Sequence, residues 1–457
     1  MKKIVCMVAV CLGTVGAYAQ AQTDSLRLFK LQEVVVKGVR AQKNAPFAVA
    51  NIKKAELSSF GKTGRELPFL FANTPGVLAW SENGTGIGTS HIRIRGAADS
   101  RINVTLDGVA LNSPEDECVF WANMNSYASL MGSAQIQRGV GTSTNGDGAF
   151  GGTISLATAA PSLTPSLEVN GGYGTYNSYN VGMNFSSGLL WNHLVFNGAY
   201  HESRTDGFMH GTAGRSGSYL GALTYYGDKF TLSYKNLGNF EKTGQAWSGA
   251  TGGNDDATLV ADGIYTYKDM YKHGLGRYNY LYEGLVFDDD AYAFPKDANG
   301  NYQTYRYKMS NGSLWNKTTD NFYQNHNILS AAFTPSAHWS HHVALHYTYG
   351  YGYYAELKPS CKFSKFGLTY YDRDGNFVKR SDFIRKKGLA QNTYGLVYNA
   401  NYKDDEWDVV GGLNLQQFRG SHFGYLTYIA NEDANAQYRA NGDYQYYDSK
   451  ARKDDYS

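Results

Sequence analysis

The chain has almost no net charge, few prolines and cysteines, and no long apolar run. Each shortage closes off a class of protein. Lys+Arg 42 against Asp+Glu 40 leaves a net charge of +2 over 457 residues, so nothing drives the counterion release on which nucleic-acid binding depends. Four cysteines are too few for a disulfide scaffold, and two of them, Cys6 and Cys11, sit in an apolar N-terminal segment. Beyond that segment no stretch approaches the ~18 uninterrupted apolar residues of a spanning helix, so any passage through a bilayer must use a β-barrel. What the chain does have is tyrosine and glycine: 38 Tyr against 22 Phe and 7 Trp, with 52 Gly and only 9 Pro. That is a composition for many short, turn-punctuated strands. The length suits one large domain or about three ordinary ones.

Met1–Ala19 reads as a secretory signal. Lys2 and Lys3 start it, Ile4–Val15 is the short apolar core, and Ala17-Tyr18-Ala19 is the small-x-small cleavage site. Cleavage there leaves Cys118 and Cys361, whose pairing the sequence leaves open. From about Ser166 the hydrophobic period is two. Phe230, Leu232 and Tyr234 alternate with Thr231, Ser233 and Lys235, and Val343, Leu345, Tyr347, Tyr349, Tyr351 and Tyr353 alternate with Ala344, His346, Thr348, Gly350 and Gly352. Short connections (Ser187–Trp191, Gly227-Asp228, Pro335–Ser340, Lys403–Glu406) alternate with long ones (Phe208–Gly217, Glu241–Lys317, Glu356–Ala390). Short periplasmic turns and long external loops produce that rhythm in an outer-membrane barrel, with tyrosines as the interfacial girdle. A secreted sandwich with decorated loops is the alternative.

Residues 20–160 follow a different grammar, with short mixed β segments, one helix expected over Gly64–Asn73, and Gly-rich turns. Three segments here resemble the plug of TonB-dependent outer-membrane transporters. The first is Leu70-Phe71-Ala72-Asn73-Thr74-Pro75-Gly76-Val77. The second is Ile92-Arg93-Ile94-Arg95-Gly96 with Val104–Asn112. The third is Ile136-Gln137-Arg138-Gly139 with Gly146–Ile154. Their order and spacing after a signal carry the resemblance. The fold class it implies is a small α/β plug domain followed by an antiparallel transmembrane β-barrel in the outer membrane. The expected division is 1–19 signal peptide, 20–45 periplasmic tail, 46–160 plug, and 161–457 the N-terminal part of the barrel.

The resemblance also assigns roles. Leu31–Gly38 resembles the TonB box, and Glu33, Val34, Val35 and Val36 form the extended segment that would add to the sheet edge of a periplasmic TonB-type energy-coupling partner. Arg93 and Arg95, two apart on one strand, would point the same way and dock the plug against acidic side chains of the barrel wall; exposed strand arginines are the plainer reading. Asp107-Gly108 reads as a tight hairpin turn. The family barrel has about 22 strands, whereas we count nine here, with a tenth starting at Lys453–Ser457. The chain is therefore expected to be the N-terminal half of a transporter, lying against outer-membrane lipid.

Ligand capture is expected at the plug apex and long loops, with Trp80, Asn83, Asn112, Trp121, Tyr278 and Tyr280 as candidates. The implied cargo is a scarce, bulky nutrient: a ferric siderophore first, cobalamin or haem next. A truncated, non-transporting binding protein is the further alternative. His338, His341 and His342 flank a short turn and His346 should face the lumen, a weak case for haem or metal. Asp288-Asp289-Asp290 fits a solvated acidic loop better than a calcium site, and Asp297–Asn301 and Asp372–Asn376 read as turns. With no nucleophile–base constellation at a recognisable spacing, no enzyme, cofactor or resident metal is expected.

Overall fold

Two sheets of unlike construction are nested in the computed structural model, which describes residues 40–41, 48–140, 149–247 and, apart from 280, 285, 289–290, 294–295, 304 and 317, residues 262–448. The expected signal Met1–Ala19 and the coupling segment Glu33–Val36 lie outside the described residues, as does Tyr280. Among the described residues no helix is long and apolar enough to cross a membrane.

The first sheet belongs to the plug. In chain order its elements are β1 (Ala48–Lys53), α1 (Lys54–Gly61), α2 (Pro68–Phe71), β2 (Val77–Ser81), β3 (Ser90–Ile94), β4 (Ile102–Leu106), β5 (Val109–Ala110), β6 (Met131–Arg138) and β7 (Gly152–Thr158). Five of the strands form a sheet ordered β1-β6-β7-β4-β5, with β2 and β3 as a separate antiparallel pair. Only β4 and β7 run parallel. The helix expected over Gly64–Asn73 shrinks to α2, because Gly64 takes a positive φ of 70° and Pro68 opens the helical turn. A second helix, α1, went unread, since KAELSSFG buries only Leu57 and Gly61 and carries little periodic signal. At the Asp107-Gly108 turn both residues have positive φ, 49° and 86°, the geometry of a two-residue hairpin connecting β4 to β5.

The second sheet is the wall. Its ten antiparallel strands each pair with their chain neighbours: β8 (Pro165–Gly174), β9 (Ser178–Ser187), β10 (Leu194–Thr205), β11 (Gly214–Tyr226), β12 (Phe230–Gly244), β13 (Thr319–Phe333), β14 (Trp339–Lys362), β15 (Arg380–Lys403), β16 (Asp408–Ile429) and β17 (Tyr444–Asp448). The tenth described strand is Tyr444–Asp448, preceded by a short helix α3 (Glu432–Tyr438), and the expected start at Lys453–Ser457 lies outside the described residues. β14 and β15 have 24 residues each, against the ~9–11 that cross a bilayer. They therefore continue well past the membrane, and the loop expected over Glu356–Ala390 contracts to residues 363–379. Its flanks had looked like loop because Lys358, Lys362, Arg380, Lys386 and Lys387 break the apolar alternation. At the far ends of β15 and β16, Phe383, Leu426 and Ile429 close with Phe363 and Phe366 of the loop into a small apolar cluster.

Alternation fixes the two faces of the wall. Leu232, Tyr234, Leu329, Leu345 and Leu415 are exposed on one face, whereas Leu237, Ile328, Ala344 and Val397 are buried and join the plug's core of Ile92, Ile94, Leu106, Ile136 and Ile154. The apolar outward face suits lipid, and the inward face packs on the plug.

Candidate functional site

The joint between plug and wall is built first at the β4–β5 turn. Asp107, 6% exposed, accepts from Thr158 N (3.0 Å) and Thr158 Oγ1 (2.8 Å), and Lys235 Nζ of β12 reaches its Oδ2 at 2.7 Å. Burial pushes the Asp107 carboxyl up, but Lys235 and the Thr158 donors outweigh it, leaving the pKa below its ordinary value. The acid is on the plug and the base on the wall, while Arg93 and Arg95 are exposed and make no ion pair among the described residues. They also do not share a strand face, because β3 ends at Ile94 and Arg95 has a φ of +50°. Arg93 instead donates to Gly96 O (3.2 Å) and lies over the Trp80 ring.

Above this joint the plug apex is pinned by buried polar side chains. Asn83 is fully buried; its amide donates to Gly244 O (2.9 Å) and Ile87 O (3.2 Å), and its Oδ1 accepts from Ala246 N (3.2 Å). Glu66, also buried, accepts from Gly88 N (2.5 Å) and from the Ser90 hydroxyl. Desolvation raises its pKa to about 7 despite those donors. His91 sits between two carboxylates, Nδ1 3.3 Å from Asp99 and Nε2 3.5 Å from Glu82, and stacks on Trp80 at 5.1 Å. The hydrogen bonds to Asp99 and then Glu82 lift its pKa to about 9, so it is charged at neutral pH.

Between apex and wall lies a cavity of about 550 Å³. Its floor is the segment Leu111–Met124. Asn112 holds this segment by accepting from Val104 N (2.8 Å) and donating to Ile102 O (2.8 Å) and Glu117 O (3.0 Å). Trp121 is anchored edge-on to Phe71 at 5.8 Å. The wall contributes whole cross-strand rows. Glu241, Phe322, Gly352, Leu389 and His422 stand opposite one another on β12 to β16, and every one of them lines the cavity. His422 Nε2 also lies against the Glu115 carboxylate of the floor. His326 lines it too, held by the Thr348 hydroxyl at 2.8 Å.

Of the residues expected to meet ligand, Asn112 and Trp121 line the cavity. Trp80 is half-buried behind His91, Asn83 is a buried latch, and Tyr278 packs with Ile264, Met270 and Leu275 inside the long loop. Sequence reading missed His91, Asp99, Glu241 and Asp320. For Glu241 the signal is present: the parity that turns Lys235 inward extends to it, but a loop expected from Glu241 cuts β12 four residues short. His338 and His341 face away at the short turn, bonded to Lys403 O (2.9 Å) and Tyr398 OH (2.9 Å), whereas His342 and His346 are buried. Asp297 and Asp372 close turns, their Oδ1 atoms accepting from Asn301 N (2.9 Å) and Asn376 N (2.8 Å). Cys118, beside the cavity, and Cys361 are both free thiols. Burial, with Asp116 and Asp99 nearby, pushes the Cys118 thiol up to about 12, which makes it unreactive.

Residues 41–153 match the family model of the TonB-dependent receptor plug domain. The chain carries a TonB-dependent receptor plug. No curated protein matches it. Solved structures share the fold of plug and wall together at low identity. The ferric-catecholate import receptor Fiu of E. coli K12 matches with a TM-score of 0.57 and 11% identity over 84% of this chain and 48% of that one. The ferric yersiniabactin uptake receptor FyuA of Yersinia pestis gives 0.54 and 16% over 83% and 50%. BauA, the ferric preacinetobactin receptor of Acinetobacter baumannii, gives 0.55 and 11% over 84% and 49%. The chain spans about half the length of each. A receptor plug inside a sheet that is apolar outward is an outer-membrane arrangement.

Proposed function

We propose that the chain serves TonB-dependent uptake of a scarce, bulky nutrient across the outer membrane, with a ferric siderophore as the favoured cargo. The observation that carries this reading is the cavity between plug apex and wall, large enough for most of a small metal complex and lined from both sides. The names of the matched structures, receptors for ferric siderophores, favour that cargo over cobalamin or haem. In this reading residues 20–45 form the periplasmic tail, 46–160 the plug and 161–457 the wall. Cargo bound on Asn112 and Trp121 frees the tail. A TonB-type partner then takes Glu33–Val36 as an added strand and pulls on the plug.

Coupling and binding are separable by experiment. Val35→Pro removes a ladder donor from the coupling strand. Energised uptake of radioactive ferric siderophore by cells should fall to background, while equilibrium binding to purified protein is unchanged. Uptake at the unaltered rate would remove Glu33–Val36 from the coupling role.

A further inference from the structure

The charge of the cavity is one-sided. Among the described residues its lining includes five carboxylates, on Glu82, Asp99, Asp116, Glu241 and Asp320, against no arginine and one lysine, the exposed Lys387. Arg385, two residues earlier on β15, is committed to Glu356 at 2.7 Å. His91 already supplies a counter-charge to Glu82 and Asp99. Glu241 has none. It is 5% exposed, its Oε2 has no hydrogen-bond partner among the described residues, and the charges acting on it are Asp320 and Glu66, both of its own sign. A carboxylate kept dry, unpaired and beside like charge is costly to ionise, and a cation delivered from the cavity relieves that cost. Aromatic faces complete the setting. Trp247 packs edge-on to Tyr354 at 4.9 Å, both rings line the cavity, and Tyr354 stands directly across from Asp320. A ring face beside carboxylates favours an organic cation. Among the described residues no three His, Cys, Asp or Glu side chains are grouped to hold a bare metal ion.

We propose that the cavity selects cargo presenting an ammonium group to Glu241 and Asp320: for an iron cargo, a ferric complex with a free amine rather than a polyanionic tris-catecholate. The inference deepens the uptake reading and rests on its site. The apolar body of such a complex lies on Phe120 and Phe322, and its ammonium group enters between Glu241 and the Tyr354 ring.

The test measures quenching of tryptophan fluorescence in the full-length protein in detergent. Four probes are used: a ferric trihydroxamate bearing a terminal primary amine, the same complex N-acetylated, a ferric tris-catecholate, and an iron-free arylalkylammonium. The amine complex should bind about ten-fold tighter than its acetylated twin, with the tris-catecholate weakest. Glu241→Gln should reduce that ratio to near one without changing the Kd of the acetylated complex. Equal binding of amine and acetyl forms by the unaltered protein, or tighter binding of the tris-catecholate, overturns the charge inference and leaves the siderophore reading standing. Binding of the arylalkylammonium alone, lost in Glu241→Gln, supports the inference and removes the siderophore reading. If none of the four binds, both fall.

Discussion

Leu106 of the plug is fully buried, whereas Leu345 of the wall is 50% exposed, and each is where its surroundings want it. The plug is an ordinary core: β4 is buried on both faces, as a strand is when sheet and helices cover it. The wall is inverted, keeping polar rows such as Asn239, Gln324 and Gln391 toward the plug and its leucines and tyrosines outward. One chain thus satisfies two solvents. The regions meet through few charged contacts, and their worth depends on how much water each admits. Asp107–Lys235 is the dry one, with side chains 6% and 19% exposed.

Breaking that contact should have the largest effect. Asp107→Asn leaves Lys235 facing a neutral amide in a nearly dry joint, and removal of one partner of a buried pair costs about 3 kcal/mol. The plug should loosen while the wall stays assembled. Limited proteolysis and hydrogen exchange of β4, β5 and β7 will report it, against unchanged heat resistance of the barrel in detergent. If β4 and β7 keep unaltered protection, the joint is held by apolar packing and not by this pair.

How much of this was legible followed the same division. The wall's alternation is a local signal, and it located the nine long strands and most of their turns. Where strands leave the membrane the signal stops, because lipid no longer demands an apolar outer face; hence the misjudged ends at Glu241, Glu356 and Ala390. Inside the plug, short Gly-rich segments carry their meaning in order and spacing, which was enough for the resemblance but not for partners. That Asp107, legible only as a turn residue, meets Lys235 across 128 positions is a tertiary fact. So is the burial of Asn83, which sequence offered to a ligand and the fold spends on Gly244 and Ala246.

Glu66 sharpens the comparison, because it is a buried plug carboxylate with no base from the wall among the described residues. Desolvation raises its pKa from an ordinary 4.5 to about 7, so the folded plug holds a proton that the unfolded chain has released. The stability this contributes is fully present below about pH 4.5 and is lost as pH rises through about 7, with a slope of at most about 1.4 kcal/mol per pH unit. Asp107 has the opposite sign: its pKa is depressed below 3.8, and its contribution is lost only as pH falls through the folded value. Glu66→Gln should therefore flatten the plug's stability between pH 5 and 7, read as urea midpoints by plug fluorescence. An unchanged slope would mean that Glu66 is ionised in the folded plug.

The smallest effect belongs to a solvent-exposed charged bridge between the two regions. Lys62 Nζ of the plug lies 3.3 Å from Glu168 Oε1 of β8, with both side chains 52% exposed. The chemistry matches that of Asp107–Lys235 and the contact again joins plug to wall, so only solvent separates the two cases. Water already solvates both ions and salt screens them, so the pair contributes less than about 0.5 kcal/mol. Lys62→Ala should leave plug protease resistance and urea midpoint unchanged within error at 0.15 M salt, and the double variant with Asp107→Asn should add nothing. A loss in Lys62→Ala approaching that in Asp107→Asn would show that charge count, rather than dryness, sets how firmly the plug is held.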